Sequence, residues 1–88
     1  MQSKRLEHYD KLVIFFDSIN DNYQKTKMCL NTIESVETFY TIEIEFNENF
    51  ILNKRKLDLL FIASGGHEYL IRINTWHKME IIFFYDSE

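Results

Sequence analysis

The sequence predicts an α+β domain: an N-terminal helical segment packed on a four-stranded antiparallel β-sheet meander. Three observations predict it. Apolar residues recur at three- and four-residue steps between residues 4 and 19. The period changes to two between Val36 and Phe46. The later apolar runs are separated only by the short polar stretches Gly65-Gly66 and Thr75-Trp76-His77, and short connections favour antiparallel neighbours over parallel strands, which need long crossovers.

Composition agrees with a compact fold. The chain has 88 residues, the size of one domain, divided here into a helical segment over 1–34 and a sheet over 35–88. Eight Phe, five Tyr and one Trp raise the aromatic content to 16%, and large rings bury much area per residue. There is no Pro, and the only two Gly are adjacent, so regular elements should dominate.

The first element is read as a helix over 4–19, with Leu6, Tyr9, Leu12, Val13, Phe16 and Ile19 on its apolar stripe. Ser3 is a suitable N-cap. Val13 to Phe16 also favour a strand, so that reading competes locally. Asn20-Asp21-Asn22 marks a break. Beyond it Tyr23, Lys27, Leu30 and Ile33 continue a weaker helical period. One bent helix, two helices, or a segment that includes a strand all remain open over 4–34.

Val36, Thr38, Tyr40, Ile42, Ile44 and Phe46 form one face of the first strand, and Glu37, Phe39, Thr41, Glu43 and Glu45 the other. Asn47-Glu48-Asn49 ends it, and Asn53-Lys54-Arg55-Lys56 reads as a basic turn. Leu57 to Ser64, Glu68 to Asn74 and Lys78 to Tyr85 read as three further strands. Gly65-Gly66 suits a tight hairpin between the first two, because Gly accepts the positive φ such turns demand.

These late strands are apolar at nearly every position. A strand wet on one side should alternate; one that does not needs cover on both sides. The helical segment covers one. The expectation is that Leu60, Ile62, Leu70, Ile82 and Phe84 form a second apolar face, larger than monomers usually leave bare, and that it meets another polypeptide.

The net charge of −4 argues against a general nucleic-acid binder, which needs a basic stripe, and against attachment to anionic membranes. It permits attraction to a basic protein surface. The single Cys29 has no internal disulfide partner, which favours a reducing compartment. The first eight residues have no apolar run behind them, so no signal peptide is expected. The apolar runs are far shorter than the roughly 18 residues that span a bilayer. A cytoplasmic location follows as the expectation.

Motifs that carry chemistry are scarce. His8, His67 and His77 do not converge: the last two flank one expected strand, about 20 Å apart at roughly 3.3 Å per residue. Cys29 lies between Met28 and Leu30 with no CxxC partner. Ser64-Gly65-Gly66-His67-Glu68 matches neither a phosphate loop nor a nucleophile elbow. Lys54-Arg55-Lys56 is one small basic cluster on an acidic domain. No metal, cofactor or enzymatic activity is expected.

The carboxylates Glu37, Glu43 and Glu45, with Glu48 beyond the strand end and Phe39 among them, form the remaining candidate. On one strand face they are either an ordinary solvated surface or a docking stripe for Lys and Arg of a partner. The expectation is a small binding protein that neutralises a target enzyme by occupying a basic site. The chain resembles toxin-immunity proteins and phage anti-defence inhibitors, anti-CRISPR proteins among them, in size and charge only. The competing expectation is a structural or regulatory homodimer, packed through the second sheet face. A histidine-dependent enzyme ranks last.

Overall fold

The computed structural model describes residues 4–19, 23–34 and 39–86. Its elements are α1 (Lys4–Ser18), β1 (Lys25–Ile33), β2 (Phe39–Phe46), α2 (Lys54–Ser64), β3 (Glu68–Ile73) and β4 (Met79–Tyr85). The class is α+β, with an N-terminal helix on a four-stranded antiparallel sheet. The strand order is β1-β2-β4-β3. The chain therefore leaves β2, crosses through α2, enters at the far edge as β3 and returns beside β2 as β4, so the sheet is antiparallel as expected but not a meander.

Two elements differ from the sequence reading. Leu57–Ser64 is not a strand but most of α2. Leu57, Leu60, Phe61 and Ser64 fall at helical spacing and face inward, with Ala63 beside them. Both helix ends are chemically specified. The Asn53 side chain accepts a hydrogen bond from the Lys56 backbone N–H at 2.8 Å, as an N-cap does. Gly65 closes the C-terminus at φ 69° and donates to the Ile62 carbonyl at 3.3 Å. The glycine pair thus ends a helix instead of turning a hairpin.

The second difference is β1, which resolves the ambiguity within 4–34 in favour of a strand. Met28 and Leu30 alternate toward the core and pair with Ile44 and Ile42 of β2. The Tyr9 hydroxyl on α1 donates to the Met28 carbonyl at 3.4 Å, and β1 has the neighbour its own weak pattern needs. Tyr23, just before it, is buried among Phe15, Phe16 and Phe50, with ring centroids 5.4–6.0 Å away. Its hydroxyl donates to the Lys56 carbonyl at 2.8 Å, which ties the start of β1 to α2.

The core lies on one side of the sheet. Tyr40, Ile42, Ile44 and Phe46 of β2 and Ile81, Phe83 and Tyr85 of β4 are buried there. Leu12 and Phe16 of α1 and Leu60 of α2 pack with them. Tyr40 and Tyr85, directly opposed, stack with centroids 5.0 Å apart. The Tyr85 hydroxyl donates to the Ser64 carbonyl at 2.9 Å, and burial pushes its phenol well above the ordinary range. Among the described residues no helix is long and apolar enough to cross a membrane.

Candidate interaction face

The opposite side of the sheet carries no described helix. The register builds it row by row. Lys27, Glu45, Glu80 and Arg72 make one row across β1, β2, β4 and β3; Cys29, Glu43, Ile82 and Leu70 make the next; Asn31, Thr41, Phe84 and Glu68 follow. Phe39 stands beyond, its ring 6.4 Å from that of Phe84. Strand alternation therefore gathers Phe39, Glu43, Glu45, Leu70, Ile82 and Phe84 on one surface, as the sequence predicts.

Other expected members lie elsewhere. Leu60 is fully buried under α2, and Ile62 points to solvent from the outside of that helix at 77% exposure. Neither belongs to the sheet, so the five-residue apolar face does not exist in the form expected. Ile82 is on the face but only 4% exposed. Its neighbours in the register explain this: Arg72 reaches from β3 over β4 to Glu43 on β2. Glu48 sits in the turn after β2, exposed. Glu37 lies outside the described residues.

The acidic stripe is held by its own surroundings. Glu45 accepts hydrogen bonds from the Thr26 hydroxyl at 2.8 Å and the Asn74 amide at 2.7 Å. The Thr26 bond leads in holding its carboxyl below the ordinary value; Asn74, Lys78 and Lys27 add to this, and desolvation opposes it. Glu80 meets the Arg72 Nε at 3.3 Å. Glu43 meets Arg72 only at 3.7 Å, longer than a hydrogen bond. Of the three carboxylates, Glu43 is the least tied and the one best placed to accept a further cation.

Beside Glu43 lies a shallow depression that sequence reasoning missed. The β3–β4 turn folds Trp76 toward it, and Glu43, Glu45, Glu80, Cys29 and Lys27 line its floor. The Asn74 side chain shapes the turn by accepting from the Trp76 and Lys78 backbone N–H groups at 2.9 and 3.1 Å, and His77 adopts a left-handed φ of 58°. Trp76 stays 75% exposed. An exposed indole beside carboxylates can receive a Lys or Arg side chain through both cation–π and ionic attraction. The available signal was a Trp in a polar turn, where burial cannot explain it.

Of the remaining candidates, His67 and His77 lie at opposite ends of β3. His67 pairs with Asp86 at 2.7 Å on the surface. The His8 ring packs 4.8 Å from that of Tyr85, and His77 lies in the turn at the other end of β3. No group of three or more His, Cys, Asp or Glu able to hold a metal occurs among the described residues. Lys54, Arg55 and Lys56 open α2 instead of forming a turn, and Lys56 Nζ lies 5.1 Å over the Phe50 ring. No family model, curated protein or solved structure matches the chain.

Proposed function

We propose that this chain is a small, non-enzymatic, cytoplasmic protein-binding domain that neutralises a target enzyme by laying its helix-free sheet face on a basic part of that enzyme. The observation that carries this reading is the conjunction on one surface of Glu43, the exposed Trp76, and the apolar side chains of Leu70, Phe84 and Phe39. Carboxylates beside aromatic anchors are the composition that steers and then holds a basic partner. The paired acids temper the mechanism. Glu45 and Glu80 fix the local geometry, while Glu43 and Trp76 would meet the incoming cation. Nucleic acid and membrane are not the expected partners of such a surface.

The test compares immobilised wild-type chain with Glu43→Lys and Trp76→Ala, in lysate from the cell in which the protein acts. Wild type should retain one enzyme at one-to-one stoichiometry and suppress its activity. Both variants should lose retention by at least tenfold while keeping the wild-type circular dichroism spectrum. Equal capture by all three, or none by wild type, would overturn the reading.

A further inference from the structure

The two edges of the sheet are built differently. The β1 edge carries Lys25 and Lys27, and its register with β2 shifts between them. Lysines and bulges are the usual protection of an edge against pairing. The β3 edge has neither: its register with β4 is unbroken from Glu68 to Ile73. All six of its residues are exposed, four of them apolar. Tyr69, Leu70, Ile71 and Ile73 are between 37% and 60% exposed, on both sides of the sheet.

The backbone fixes how this edge can be used. Asn74 N–H donates to the Lys78 carbonyl at 3.0 Å, which makes Asn74 a hydrogen-bonded position toward β4. By alternation Arg72 and Leu70 also point their amides at β4, and Tyr69, Ile71 and Ile73 point theirs outward. An antiparallel copy of β3 can therefore pair along this edge about Leu70 or about Ile71, since a half-step register would face inward groups with outward ones. The charges choose between them. About Leu70, Glu68 stands opposite Arg72 of the second copy, and the reverse pair forms by symmetry. Tyr69 meets Ile71 twice, and Leu70 meets itself. About Ile71, Glu68 would face Asn74 and Arg72 would face Leu70.

We propose that the chain forms a two-fold homodimer by antiparallel β3–β3 pairing centred on Leu70, giving one eight-stranded sheet. The occupant is a second copy because the edge is complementary to itself: its opposite charges are placed evenly about an apolar centre, and cross-strand pairs of this kind favour pairing. Arg72 has five donor hydrogens, so it can keep Glu80 while reaching Glu68 of the other copy. The two-fold axis runs perpendicular to the sheet. Both helix-free faces then look the same way and form one doubled surface. The dimer stands whether or not that surface binds an enzyme.

Light scattering over a concentration series should find a species of twice the 10.7 kDa chain mass. In a Cys29→Ser background, Leu70→Cys should cross-link on mild oxidation, because a non-hydrogen-bonded antiparallel pair sets Cα atoms about 4.5 Å apart, within disulfide reach. Ile71→Cys should not cross-link. Glu68→Arg should weaken the dimer at least tenfold. Ile71→Pro should yield a monomer with unchanged circular dichroism, since it removes only an outward N–H. Phe39→Ser, away from the edge, should leave the dimer intact. A monomer at every concentration, cross-linking through Ile71→Cys instead of Leu70→Cys, or a dimer lost with Phe39→Ser but indifferent to Glu68→Arg, would each overturn the proposal.

Discussion

Single polar atoms decide how this small core closes. The Tyr85 ring is part of the buried layer, yet its hydroxyl must find a partner, and it finds the Ser64 carbonyl at the end of α2. That bond joins the last strand to the second helix. Tyr85→Phe keeps the ring and strands the carbonyl, so stability should fall by about 1–2 kcal/mol. For a domain of this size that is a drop in Tm on the order of 5–15 °C, readable by thermal denaturation. Glu45 makes a different prediction, in pH. Its carboxyl is held below its ordinary value of 4.5, so the folded state favours the charged form. The stabilisation is complete above pH 4.5 and disappears as pH falls through the lower folded value. Glu45→Gln should therefore be less stable than wild type at pH 7 and equal to it in strong acid. Parallel urea titrations across pH 2–7 would show the two curves converging on the acid side; curves that stay parallel would refute the assignment.

At the level of elements, α2 shows what the sequence made legible and what it hid. The run Leu57 to Ala63 is apolar at six of seven positions, so neither a two-residue nor a 3.6-residue period stands out. Apolar Leu59 and Ile62 lie on the exposed side and blur the stripe made by Leu57, Leu60, Phe61 and Ser64. The deciding signals were the caps. Asn53 and Gly65 bracket eleven helical residues with the residue types that begin and end helices. The glycine pair suits a hairpin because Gly accepts a positive φ, but only Gly65 adopts one, and a helix terminus uses the same backbone angle. If the N-cap carries this weight, Asn53→Ala should cost about 1 kcal/mol, whereas Asn53→Asp should be tolerated, and amide exchange in the first turn of α2 should report the difference. The same reasoning explains β1. Only Met28 and Leu30 of its nine residues pack on the core, too few to establish a period. β2, paired on both sides, keeps a period of two along its length, while β4 is apolar at nearly every position and is legible from its β-favouring residues behind a short polar turn.

For the whole molecule, the essential asymmetry is that both helices lie on one side of the sheet. A second apolar face of five side chains requires three late strands apolar on both sides. One of them is a helix, and its Leu60 closes the core instead of opening a second face. What survives is narrower: Phe39, Glu43, Leu70 and Phe84 follow from strand parity alone, while Trp76 enters through a turn whose path no periodicity encodes. This separation of faces predicts a separation of effects. Leu12 is fully buried between α1 and the sheet, and Leu12→Ala should cost about 2–5 kcal/mol, a large part of the roughly 5–15 kcal/mol that holds a domain together. Glu43→Lys, on the helix-free face, removes one long ion contact and adds a like charge near Arg72, at a cost within about 1 kcal/mol. Denaturant titration should show the first variant with a sharply lowered midpoint and the second close to wild type, both with unchanged m-values. A Glu43→Lys protein that unfolds as readily as Leu12→Ala would mean that the outer rows hold the fold together, and loss of partner binding in that variant would then report unfolding, not a contact.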